Sequence, residues 1–230
     1  MIARTLVAIA TFAAASALGA QKAPDITPYL TADRAAEVAL ARTAAPADIS
    51  DRATVMVLTP KGYVEAARGT NGFTCIVMRS FAAGPDDPAF WSPSVSAPHC
   101  FNPPAVRTVL PAVLAQIDWA LEGASPAELK ARTKKAYAEK RFMRPAAGAM
   151  AYMLSPQQRL SDADPHWMPH LMFYYDASLK ATAFGAGGMD APIINASAGD
   201  PSSPLQVIFI PIRTWSDGTT AMHDAPPAAK

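Results

Sequence analysis

The chain has 230 residues, half of them hydrophobic, with 20 Lys and Arg against 19 Asp and Glu for a formal net charge of +1. So balanced a charge gives no general reason to expect nucleic acid as a partner. Beyond the N-terminal leader, no segment is long and apolar enough to cross a membrane as a permanent helix.

The first 20 residues, MIARTLVAIATFAAASALGA, have the plan of a secretory signal peptide. Arg4 makes a positive start, residues 5–18 form an Ala-rich apolar run too short to span a bilayer, and small residues follow. The expected cut lies between positions 17 and 20. Gln21 stands where a lipidated Cys would be, so no lipid anchor is expected. The reading is therefore residues 1–20 as signal peptide and 21–230 as one globular domain, delivered to the periplasm or the medium. Cys75 and Cys100 are the only cysteines. In an oxidising compartment an even count reads as one disulfide, and the pair lacks the C-x-x-C spacing of a redox motif.

In chain order, YLTADRAAEVALARTAAPADIS reads as a helix, with Thr31 as cap, Asp33 at its positive end and Pro46 as its stop. Its few large apolar residues predict a place on the outside of the domain. Three β-rich runs follow, about 53–58, 63–68 and 73–79, separated by Thr59-Pro60-Lys61-Gly62 and Thr70-Asn71-Gly72. Asn-Gly is a strong hairpin signal, so these runs predict a three-stranded antiparallel meander. Alternation puts Cys75, Val77 and Arg79 on one face of the third run, and Thr74, Ile76 and Met78 on the other.

FAAGPDDPAFWSPSVSAPHCFN is dense in proline and turn residues and reads as an irregular loop. Phe90, Trp91 and Phe101 should plug it against the domain, with Cys100 clasping it to the preceding strand. Asn102 and Pro103 then cap and open a helix with an apolar stripe from Val106 to Leu121, and Gly123 ends it. Pro111 cannot bond to the carbonyl of Arg107, which predicts a kink. Ser125, Pro126 and Glu128 form a capping box with proline at the first helical position. The helix they open is locally basic, its Lys and Arg side chains spread around it as a solvated surface.

GAMAYMLS reads as a strand, Ser155-Pro156 as the start of a short helix, and MPHLMFYYD as a second strand. The Gly-rich FGAGGMDAP is a loop, and LQVIFIPIRTW a long apolar strand in which Pro211 requires an edge or a bulge. From Ser216 the chain reads as a flexible tail. The expected fold is α+β: an antiparallel sheet made of the meander and the C-terminal strands, two or three helices on one face, and one disulfide.

The chemistry-bearing residues are few. His166 and His170 have the four-residue spacing of a helical metal pair, but Pro165 and Pro169 disfavour a helix. On an extended backbone the two imidazoles stand about 13 Å apart, too far for one ion. No metal or cofactor is therefore expected. Ser197 sits in NASAG, where Asn195 replaces the first glycine of a nucleophile elbow and Asp200-Pro201 obstructs the helix that must follow. GAGG at 185–188 lacks the spacing of a phosphate cradle.

With nucleophile, metal cluster and phosphate loop missing or malformed, the leading expectation is a non-catalytic exported module that binds a small molecule or an envelope component. Tyr174, which shares a strand face with His170, and Trp215 and Ser216 are the candidate contacts. The rival is a hydrolase-like enzyme with His170 as base, oriented by Asp176 or Asp217.

Overall fold

The computed structural model describes residues 25–82, 84, 85, 87–161, 167–195 and 204–221. The expected signal peptide, His166, Ser197 and His223 lie outside these residues.

Among the described residues an eight-stranded sheet runs in the order β2-β1-β3-β4-β5-β6-β8-β7. Its strands are β1 (Thr54–Thr59), β2 (Gly62–Ala67), β3 (Thr74–Met78), β4 (Ala97–Phe101), β5 (Met150–Met153), β6 (His170–Asp176), β7 (Ile194–Asn195) and β8 (Leu205–Pro211). Every neighbouring pair is antiparallel except β1 and β3. The class is α+β. The N-terminal strands do not form the expected meander. β1 and β2 make a hairpin, but β3 crosses to the far side of β1 and pairs with it in parallel, leaving β2 at the edge.

The connection after β2 dictates that crossing. Gly69 lies flat against the start of β1, where a Cβ would stand 2.1 Å from the Thr54 nitrogen. Thr70 and Thr54 then donate their backbone N–H groups to the Arg52 and Phe73 carbonyls. Asn71-Gly72 does turn the chain, with Gly72 at φ +76°. The turn delivers it past β1 instead of back along β2.

Five α-helices are described, and they cover both faces of the sheet, not one as expected: α1 (Arg34–Arg42), α2 (Ala47–Ser50), α3 (Pro103–Thr108), α4 (Leu110–Leu121) and α5 (Pro126–Ala138). α1 is capped by Asp33, whose side chain accepts from the Ala35 N–H, and not by Thr31. The Thr31 hydroxyl is engaged by Glu37 and Arg79 instead. The helix ends at Arg42, ahead of Pro46, because the chain turns so that the Ala44 carbonyl can accept from Leu154 at the end of β5. Arg34, Ala35, Ala36 and Ala39 are exposed, as expected of a helix on the outside of the domain, and its inner side packs on the sheet. Ala41, Ala44 and Ala45 pack against Val55, Val57, Cys75, Val77 and Cys100, and the small side chains let the backbone approach closely.

The opposite face carries Ile76, Phe101 and Ala151 under Ala105, Val109 and Leu110 of the α3–α4 unit. Asn102 caps α3 and accepts from the Ala105 N–H at 3.0 Å. The expected kink appears as a break at Val109, two residues before Pro111. The Ser125–Glu128 capping box is complete, and α5 packs on α4 through Leu129, Ile117 and Ala120.

Cys75 and Cys100 are disulfide-bonded and stand opposite each other on β3 and β4, so the bridge joins two strands and not a strand to a loop. β4 hides in the proline-rich segment. Pro98 is tolerated because the β4–β5 ladder covers only Cys100 and Phe101, leaving Pro98 with a ladder partner on one side alone. Phe90 and Trp91 do plug the segment, their rings packed on each other and Trp91 on Phe81. Ser155 starts a single turn and no helix, because the Arg159 backbone pairs with Ser96. Pro211 is the last residue of β8, which lies between β6 and the two-residue β7. Residues 216–221, expected to begin a tail, are tied to the body by Ser216 N–H to the Leu154 carbonyl and Ala221 N–H to the Arg213 carbonyl.

Candidate functional site

The register of the central strands assembles one row of side chains after another. His170 of β6 stands opposite Met153 of β5 and Pro211 of β8, and Met172 opposite Ala151 and Phe209. Phe101 of β4 also faces Ala151, so His99, two residues earlier, belongs to the same face. That face looks towards α4 and α5. Near β3 and β4 the helices close on it and form the core. Towards β6 and β8 they stand off, leaving a cleft of about 780 Å³.

Its floor is mostly apolar: Met153, Met172, Tyr174, Val207 and Phe209, with His99 and His170 among them. The roof includes Ala112, Val113 and Gln116 of α4, and Lys130, Thr133, Lys134 and Tyr137 of α5. These α5 positions are spaced i, i+3, i+4 and i+7, one face of a helix. The basic residues of this helix therefore do not all project into solvent. One polar stripe overhangs the sheet.

His170 is 1% exposed. Its ring packs against Trp167 and Phe209, with centroids 5.0 and 4.8 Å away, and those two rings are themselves 5.3 Å apart. Nδ1 is 2.9 Å from the Met168 carbonyl oxygen. A carbonyl only accepts, so Nδ1 carries the proton, and in the neutral ring Nε2 is a bare lone pair. That Nε2 is buried and has no hydrogen-bond partner among the described residues. Burial pushes the imidazole pKa down to about 4, opposed by the Met168 carbonyl, so the ring is neutral at pH 7. His99 repeats the arrangement. It is buried and stacked on Phe101, with Nδ1 2.8 Å from the Ala97 carbonyl. Burial, joined by the nearby His170, likewise holds its pKa at about 4.

Tyr174 is in the floor, and its hydroxyl donates to the Met172 sulfur at 3.7 Å. Burial raises its pKa. Tyr137 has a buried hydroxyl with no partner among the described residues, and desolvation raises its pKa to about 12.

The carboxylates expected beside His170 are elsewhere. Asp176 is six residues along the same strand, about 20 Å away on an extended backbone. It pairs with Arg144 at 2.5 Å, and that hydrogen bond holds its pKa down to about 2. Asp217 is exposed and accepts from the Thr219 hydroxyl and N–H, which lower its pKa. Trp215 and Ser216 belong to that same turn, and neither lines the cleft. Of the candidate residues, His170 and Tyr174 line the cleft. His99, Tyr137, Trp167 and Phe209 complete the site. The strand alternation of His170, Met172 and Tyr174 and the α5 stripe are the signals that point to it.

Among the described residues no three His, Cys, Asp or Glu side chains group as a metal site, and no helix is long and apolar enough to cross a membrane. Comparison of the chain with protein families, curated proteins and solved structures finds no match.

Proposed function

We propose that the protein is an exported, non-catalytic binding module that takes an apolar small molecule into the cleft above His170. The cleft itself carries this reading. Its volume falls in the range of small-molecule sites, roughly 300–1,000 Å³, and its mostly apolar lining with a few convergent polar groups has their composition. The Cys75–Cys100 bridge fits an oxidising compartment and so supports export.

The hydrolase reading has less support. A general base is oriented by a carboxylate in the usual triads and works best with a pKa near the operating pH. His170 is instead oriented by a backbone carbonyl, and its pKa of about 4 makes it a poor proton acceptor at neutral pH.

A neutral phenylnaphthylamine dye, fluorescent in apolar surroundings, tests the binding reading. Ala131 lines the cleft but is exposed, so Ala131→Trp should obstruct the site without disturbing the core. Ala127, also exposed on α5, is outside the cleft and serves as the control position. Ala131→Trp should weaken dye binding about tenfold or more, which is about 1.4 kcal/mol. Ala127→Trp should leave it unchanged. Equal binding by both variants, or no binding by the native protein, contradicts the proposal.

A further inference from the structure

We infer that the turn Lys140-Arg141-Phe142-Met143-Arg144, which follows α5, docks the protein onto the surface of an anionic lipid bilayer. This docking is a second property of the molecule and does not depend on what the cleft holds.

The charge of the chain is balanced overall but uneven along its length. Residues 125–144 hold seven of its 20 Lys and Arg and two of its 19 Asp and Glu. At the end of α5, Lys135 and Arg141 share Glu139, at 3.7 and 3.4 Å, and Arg144 meets Asp176 at 2.5 Å. Two carboxylates thus face three cations, and Lys140 adds a fourth. All four cationic residues are exposed.

Beside them an apolar side chain stands in the open. Phe142 packs on Tyr137 and Trp119, with ring centroids 5.5 and 6.0 Å away, and so pins the turn to the body. Met143, the next residue, is 62% exposed. Cations around an exposed apolar group suit an anionic bilayer, whose phosphates attract the charges while the acyl boundary receives the methionine. A soluble acidic polymer would use the cations and leave Met143 in water. Tyr137 also lines the cleft, so the turn adjoins a compartment for apolar molecules, which partition into bilayers.

The backbone adds an independent sign. The Arg141 N–H donates to the Ala136 carbonyl and the Lys140 N–H to the Tyr137 carbonyl, the two bonds of a Schellman cap. The left-handed position of that cap, usually glycine, is Lys140 at φ +58°. Among the described residues no other non-glycine has a positive φ. Cations at a helix C-terminus do complement its dipole, but that requires neither a side chain at the left-handed position nor an exposed Met143.

The test is co-sedimentation of the exported protein with vesicles of phosphatidylcholine alone or with one-third phosphatidylglycerol. The anionic vesicles should bind it about tenfold more tightly or better, and about 1 M salt should release it. Lys140→Gly should weaken that binding about fivefold while its urea midpoint equals or exceeds the native one. Met143→Ser should also weaken it, by about fivefold, with the salt dependence kept. Arg68→Ala removes the same charge just after β2, at the edge of the sheet away from β6, and should bind as the native protein does.

Equal binding to both vesicle types, or to neither, overturns the docking surface. So does native binding by Lys140→Gly, or an equal loss in Arg68→Ala. Native binding by Met143→Ser, with release by a soluble acidic polysaccharide, overturns the bilayer in favour of a polyanion. Lys140 and Met143 lie outside the cleft, so any of these failures leaves the binding reading standing.

Discussion

His99 and His170 are titratable groups buried where an ordinary core would place leucine, and folding therefore responds to pH through them. Each has a folded pKa of about 4 against an ordinary 6.5. As pH falls below 6.5 the unfolded chain takes up the two protons first, so stability is lost between pH 6.5 and 4 and is level on either side as far as this pair is concerned. Each histidine contributes a slope of about 1.4 kcal/mol per pH unit within that window. Urea unfolding of His170→Asn across the window should show a slope smaller than the native protein's by about that amount, whatever the absolute stability of the variant. Equal slopes would contradict the burial assigned to His170. Asp176 acts lower: its pKa is depressed to about 2, so its share is lost only as pH falls below the ordinary carboxylate value.

The residue scale also shows what alternation could and could not reveal. Period-two reasoning places Cys75, Val77 and Arg79 on one face of β3, and Cys75 and Val77 do lie in the α1 layer. It gives no hint that Arg79 meets Glu37 of α1 in a buried ion pair at 2.7 Å. That partner is 42 residues away in sequence and is brought near only by the packing of α1 on the sheet.

At the scale of elements, the disulfide is the covalent tie between β3 and β4. It closes a loop of 25 residues, and in the chain-entropy model this restricts the unfolded chain by about 3.5 kcal/mol. The double variant Cys75→Ala, Cys100→Ala should lose about that much stability in urea unfolding while keeping the native far-ultraviolet circular dichroism. A loss below about 1 kcal/mol would show that the strand pairing already restricts the loop in the unfolded chain.

Elements written in local chemistry were legible before the fold was. The Ser125–Glu128 capping box, the Asn102-Pro103 start and the Pro111 break all depend on residues within one helical turn. The pairing of β3 and the existence of β4 were not legible in the same way. The Asn71-Gly72 turn announces a reversal, but Gly69 packing on the β1 backbone decides on which side of β1 the chain returns. Pro98 disguises β4 as a loop because its tolerance depends on how far the β5 ladder extends. For the site, His170 and Tyr174 were legible as one strand face. The overhang of α5 was not, because no local pattern shows which helix covers which end of a sheet.

At the scale of the molecule, helices cover both faces of the sheet near β1, β3 and β4, while the β6–β8 end stands open beneath α4 and α5. A closed core and an open cleft thus share one continuous sheet. The chain's methionines distinguish the cleft from the outer surface. Met78, Met153 and Met172 line the cleft, whereas Met143 and Met189 are exposed and outside it. The most direct test is a methyl NMR titration of protein labelled at methionine, with dodecanol as ligand. The Met78, Met153 and Met172 resonances should move together along one saturable binding curve while those of Met143 and Met189 stay in place. Movement confined to Met143 and Met189, or no saturable movement at all, would contradict a ligand-binding cleft above His170.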